Sequence, residues 1–220
     1  NPGSTSLGAS YNVTTRQADP RPGSSGQYSA KLQSTKVAIQ LAAGNIFVGE
    51  FGETSIATMS GTVLMGRAFT FNARPTKLRI WYKGNVGSGD KSRIFVCLTN
   101  MTKPGCTYHT VNTKSSERDK TVLDPTQEFL YTNRQDPSTL EGHILGYGDL
   151  LIEQSQGEWT MVEIPINYRK KYESEKPNVL ILTASASYRG DYFEGSTDSN
   201  LFLDDIEFVY EGDYGYVDQE

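Results

Sequence analysis

The stretch "SNLFLDDIEFVY", residues 199–210, decides the fold. It alternates as a β-strand does, yet two adjacent aspartates stand in its middle. Side chains alternate across a strand with period two. Phe202, Asp204, Ile206, Phe208 and Tyr210 therefore share one face, and Leu201, Leu203, Asp205, Glu207 and Val209 share the other. The first face is apolar except for Asp204, which is expected to point inward. An unpartnered carboxylate on such a face costs several kcal/mol or takes up a proton. A bound Ca²⁺, an Arg or backbone N–H groups would each resolve it.

Similar short runs recur upstream, separated by turn residues. "KLQSTKVAIQL" (31–41) places Val37, Ile39 and Leu41 on one face, and "KLRIWYKG" (77–84) places Leu78, Ile80 and Tyr82 against Arg79, Trp81 and Lys83. "SRIFVCLTN" (92–100) is apolar on both faces. "WTMVEIPINY" (159–168) aligns Val162, Ile164, Ile166 and Tyr168. "NVLILTASAS" (178–187) is an almost unbroken apolar run, as a central strand covered on both sides requires. Helical signals are scarce; "DPTQEFLYT" (124–132) predicts a turn or two of helix, within a long connection from about 112 to 145. "GNVGSGDK" (84–91) precedes a strand and lacks the ending of a phosphate-binding loop, so it reads as a hairpin loop. These runs predict an all-β, antiparallel sandwich of jelly-roll type, with the last strand pairing near the first. Residues 1–30 read as an extended entry or linker, 31–212 as a single domain and 213–220 as a tail.

With 220 residues the chain is long enough for one large β domain. Its formal charge of −5 argues against a general nucleic-acid partner. No apolar run approaches the roughly 18 residues of a membrane-spanning helix. The two cysteines, Cys97 and Cys106, flank the turn-like "LTNMTKPG"; they read either as a bridge across it or as two free thiols.

Four segments then fall together in order: "AAGNIFVGEF" (42–51), "GRAFTFNARPTKLRIWYKG" (66–84), "EWTMVEIPINY" (158–168) and "SASYRGDYFEGSTDSNLFLDDIEFVY" (185–210). They resemble the putative carbohydrate metabolism domain, a family of secreted proteins of glycan-degrading gut bacteria. Ser185, Ser187, Gly190, Asp191, Phe193, Gly195, Asp204 and Asp205 carry the most specific part. The resemblance implies a jelly roll similar to carbohydrate-binding modules. It also implies an exported protein, whether periplasmic, anchored at the outer membrane or extracellular, with an immunoglobulin-like domain as an upstream neighbour. Modules of that kind often hold a structural Ca²⁺ with an aspartate of the last strand, which makes Asp204 the metal-ligand candidate; the polar N-terminal segment would supply further oxygens. No cofactor is required beyond that ion, and the resemblance brings no catalytic residues.

Trp81 lies between Arg79 and Lys83 on the polar face of its strand. A Trp there offers a stacking platform for the apolar face of a pyranose, or is covered as core. Arg74 and Lys83 would hydrogen-bond hydroxyls or a uronate. "RGDYFEGSTDSN" (189–200) supplies Asp191, Glu194 and Asp198. Glycoside hydrolysis needs two carboxylates facing each other across the scissile bond, and three acids in one loop do not establish that; Glu50, Glu53 and Asp90 are possible second members. Asp191 fits equally a capped turn. His109 and His143 fall in the long connection, and no nucleophile elbow accompanies them. The expected function is non-catalytic binding of an oligosaccharide or polysaccharide, through Trp81, Arg74, Lys83 and Asp191. A glycoside hydrolase, or an adhesion or structural module of the cell surface, is the alternative. Should Trp81 prove covered, the ligand is expected where the 189–198 loop and the 112–145 connection meet.

Overall fold

The computed structural model describes residues 12–37, 39–55, 57–58, 60–70 and 73–217. Two sheets packed face to face form the body. The first has five strands, in the order Thr14–Gln17, Ser29–Gln33, Asn200–Val209, Lys77–Asn85, Gln156–Pro165, all antiparallel. The second is built on Leu140–Ile152, Ser92–Met101 and Val179–Ser185, again antiparallel, and is extended by shorter strands at its edges. The last long strand pairs with Ser29–Gln33, which pairs with Thr14–Gln17, as the jelly-roll expectation requires. Thr14–Gln17 lies within the segment 1–30 that reads as a linker entry and Ser29–Gln33 begins in it, and both are strands of the first sheet. At the other end Gly215–Tyr216 pairs in parallel with Asn167–Tyr168.

Between the sheets lie Leu32, Leu78, Ile80, Ile164, Leu201 and Leu203 from one side and Ile94, Val96, Leu98, Leu145 and Ala184 from the other, all buried. The two-faced character of Ser92–Met101 and Val179–Ser185 has a direct cause. Their alternate residues Phe95, Cys97, Val179 and Ile181 face away from the sandwich into a second core with Met101, Val111, Leu123, Leu130 and Ile144. A third layer covers that core: a three-stranded sheet (Gly49–Ser55, Ser60–Met65, His109–Asn112) and the connection beyond it, with its single α-helical turn at Arg118–Thr121.

Four local expectations are corrected. Residues 31–41 do not form one strand: Thr35–Val37 and Gln40–Ala42 form a tight hairpin that leaves Ile39 exposed at its tip. The segment 124–132 is not helical: the Asp124 side chain accepts from Thr126 N–H and Oγ1 in a turn, and Phe129–Tyr131 pairs as a strand with Leu140–Ile152. The 84–91 loop joins strands of different sheets, so it is a crossing and not a hairpin. Asp204 does not face the core. A bulge sets Asp205 and Ile206 against one partner residue, with Asp205 in the left-handed region at φ 43°. Leu201 and Leu203 point inward before the bulge and Phe208 packs against the core after it, while Phe202 and Asp204 lie on the outward face.

Candidate functional site

A cavity of about 600 Å³ lies on the side of the second sheet away from the sandwich. Arg93, Phe95, Thr183 and Ser185, paired across neighbouring strands, form its floor. Phe47, Phe51, Val63 and Met65 form one wall, the Tyr188–Phe193 turn and Val122–Asp124 the other, and the Thr35–Ala42 hairpin overhangs it. A smaller cavity of about 330 Å³ adjoins it and shares Gln40, Leu41, Thr113, Tyr192 and Phe193.

The wall that carries Asp191 is anchored by a buried carboxylate. Asp90 Oδ2 accepts from Ser187 Oγ (2.6 Å), Ser199 Oγ (2.7 Å) and Ser196 N–H (2.9 Å), and Oδ1 accepts from Lys91 N–H (2.7 Å). One side chain from the 84–91 crossing therefore fixes both ends of the 187–199 loop. Gly195 passes so close that a Cβ would stand 2.9 Å from Asp90 Oδ2 and 2.6 Å from Ser187, and its φ is +145°. Asp90 entered the sequence reading only as one of several acids; nothing local marks it, because its partners come from a loop about a hundred positions away.

Within that loop Tyr192 is held between two guanidinium groups, with Arg118 4.2 Å and Arg189 4.3 Å from its ring centre, and its hydroxyl donates to Asp119 (2.7 Å). The 189–198 loop and the long connection do meet here. Phe193 follows at φ 59°, a region that residues with a Cβ rarely occupy. Burial pushes the Asp191 carboxyl above its ordinary value, against the opposing pull of backbone N–H groups of its own turn and of Arg118 and Arg189. Asp124 lines the same cavity.

The four residues expected to bind ligand are not brought together. Asp191 lines the cavity. Trp81 and Lys83 lie on the outward face of the first sheet, half-buried, beneath the loop that follows Gln17. Arg21 stacks 5.0 Å above Trp81 and pairs with Asp205 (2.5 Å), while Lys83 pairs with Asp19 (2.8 Å). Trp81 is thus neither core nor an open platform. Arg74 donates to the carbonyls of Tyr172 (2.6 Å) and Glu175 and lies over Tyr168, so its guanidinium fastens a loop. Cys97 and Cys106 are both free thiols, Cys97 fully buried in the second core.

The surroundings of Asp204 do not suit Ca²⁺. One carboxylate oxygen accepts from Arg21 N–H (2.8 Å) and the other from Asp205 N–H (2.9 Å), so donors, not the six to eight oxygens that calcium takes, face it. No group of three or more His, Cys, Asp or Glu suited to a metal occurs among the described residues. The N-terminal oxygens that the sequence offered as further ligands fall largely on residues 1–11, outside the described residues.

Sequence comparison adds the decisive observation: a family model described as the putative carbohydrate metabolism domain matches residues 1–209. The chain belongs to that family. Its fold recurs in a putative glycoside hydrolase from Bacteroides thetaiotaomicron, at TM-score 0.55 and 18% identity over 91% of this chain and 57% of that one. It recurs also in a putative glycoside hydrolase from Bacteroides vulgatus, at TM-score 0.58 and 20% identity over 90% and 78%. The chain therefore spans little more than half of the first neighbour. No curated protein matches. At these identities the likeness establishes the shared fold, and family membership makes this a carbohydrate-related domain.

Five side-chain polar atoms are buried without a partner among the described residues, and three of them belong to these two cavities. Gln40, whose Oε1 is the acceptor, is among the residues lining both; Arg134, whose Nε is a donor, lines the larger; Arg118, whose Nε is a donor, lines the smaller. Sequence reasoning missed Gln40 and Arg134: the alternation in 31–41 concealed the hairpin that carries Gln40, and Arg134 comes from the long connection, which has no periodic signal.

Proposed function

We propose that this is a non-catalytic glycan-binding domain of an exported bacterial protein, and that the two joined cavities hold its oligosaccharide or polysaccharide. The clustering of orphaned polar atoms carries the reading. Buried polar groups are nearly always paired in folded proteins, so an acceptor and two donors left open on residues that line these two adjoining cavities favour a ligand that offers both. A sugar hydroxyl does so with one group. Tyr192, fixed between two arginines, offers a rigid aromatic edge for the C–H face of a ring.

The test is a glycan array beside a hydrolysis screen, followed by calorimetry. Gln40→Ala and Arg134→Ala should each weaken binding about tenfold, the worth of one hydrogen bond, without product appearing. Unchanged affinity in both variants refutes this site. Failure of every glycan to bind, with the fold intact, favours an adhesion or structural module.

Two observations favour other readings. Trp159 Nε1 is also buried without a partner, and Lys83 stands 5.2 Å from the Trp159 ring. That keeps the outward face with Trp81 and Lys83 as a second binding surface, for which Trp81→Ala and not Tyr192→Ala would abolish binding. Asp191, its carboxyl raised by burial, lines the same cavity as Asp124, and two carboxyl groups lining one cleft are what glycoside hydrolysis uses. Turnover lost in Asp191→Asn would establish the enzyme instead.

A further inference from the structure

The chemistry of the two cavities differs, and the difference narrows the ligand. Phe47, Phe51, Val63, Met65 and Val111 make one side of the larger apolar, and Phe95 continues that surface onto the floor, beside Arg93, Thr183 and Ser185. Hydroxyls set against such a surface lose water and gain no partner. A bare sugar carries hydroxyls around most of its ring, so it is a poor filling for this chamber. The smaller cavity is lined by Thr58, Thr113, Ser115 and Arg118, and it opens into the larger at Gln40, Leu41 and Tyr192. At about 600 Å³ the apolar chamber is within the usual range for small organic ligands, roughly 300–1,000 Å³.

We infer that the ligand is a glycoside carrying an apolar substituent, such as an aryl group or an acyl ester, with its sugar at the polar junction and the substituent in the apolar chamber. This rests on the glycan-binding reading of the same site and specifies the class of glycan. Leu41, at the junction, would contact both parts, and Gln40 and Thr113, which line both cavities, would meet sugar hydroxyls. The phenylalanine and methionine side chains would hold the substituent by burial alone, which is non-directional and tolerant of its shape.

The test is calorimetry of the intact chain with matched probes: methyl and phenyl β-glycosides of glucose, galactose, xylose and N-acetylglucosamine, a short acyl ester of the best-binding sugar, and phenol alone. For at least one sugar the phenyl glycoside should bind at least about tenfold more tightly than the methyl glycoside, the gain expected from burying one aromatic ring. The acyl ester should gain similarly if the cavity selects apolarity rather than aromaticity. Val63→Thr, which keeps the shape of the wall and adds a hydroxyl, should reduce that advantage severalfold and leave the methyl glycoside unaffected. Phe51→Ser, with its fold checked by thermal melting, should reduce it further. Equal affinity of methyl and phenyl glycosides overturns the inference while the glycan reading stands. Phenol binding as tightly as the phenyl glycosides overturns the glycan reading and the inference with it, and so does the absence of binding by every probe.

Discussion

Asp90→Ala tests whether one buried carboxylate positions the candidate site. Asp90 is 7% exposed and accepts four hydrogen bonds, three of them from the 187–199 loop. Truncation strands the Ser199 hydroxyl and two backbone N–H groups, while the Ser187 hydroxyl keeps only its 2.7 Å contact with Ser34 Oγ. Ser187 and Ser199 are fully buried and cannot recover water, whereas Ser196 is half-buried and can in part. A stranded buried donor costs about 1–3 kcal/mol and such losses add incompletely, so about 3–5 kcal/mol is expected in total. For a domain of this size about 2–4 °C accompanies each kcal/mol, which gives a fall in Tm of about 6–20 °C. Asp90→Asn keeps the volume and one accepting oxygen, so the loop donors stay paired if its amide turns toward Lys91 N–H; about half the loss is expected. Differential scanning calorimetry and urea unfolding measure both variants. Because the same loop carries Asp191 and Tyr192, ligand affinity should fall even at temperatures where the variant remains folded. A Tm within about 2 °C of the parent in Asp90→Ala, or unchanged ligand affinity, would refute the reasoning.

Glu141 Oε2 lies 2.6 Å from His109 Nδ1, and His109 Nε2 lies 2.8 Å from the Thr121 carbonyl, both side chains being buried. Glu141→Gln replaces one of the two carboxylate oxygens that hold His109 and Thr132 with an amide donor, so urea unfolding should report a loss of about 1–3 kcal/mol. Asp204→Ala frees Arg21 N–H on the half-buried outward face and should cost about 1–2 kcal/mol, with faster hydrogen exchange in residues 18–28. EDTA should leave the melting temperature of the parent unchanged; a fall would return calcium to Asp204. The Asp191 carboxyl is raised by burial, so the folded state binds its proton more tightly than the unfolded chain does. Its contribution to stability is therefore fully present below the ordinary carboxylate value and is lost as pH rises through the raised one. Asp191→Asn should flatten the stability profile across that interval, and an unchanged slope would contradict the assignment.

Local pattern was enough for the architecture. Alternation in 77–84 and 201–203, and the two-faced runs 92–100 and 178–187, specify strands and even tell which of them are covered on both sides, because each side chain's face follows from the strand's period alone. Family membership was equally legible, since the motifs that carry it are contiguous. What the sequence alone left undecided depends on contacts between distant segments. The bulge at Asp205 shifts the strand's phase, so Phe208 packs inward while Asp204, in phase with Phe202, faces outward, and no period-two pattern announces a bulge. Trp81 was placed on the polar face of its strand correctly, but Arg21, sixty positions away, covers it. The cleft is assembled from a hairpin, six further strands of two sheets, a turn and a long connection. Its partnerless groups, Gln40 Oε1 and Arg134 Nε, become recognisable only when every other polar atom near them has been paired, and that accounting exists only in the folded chain.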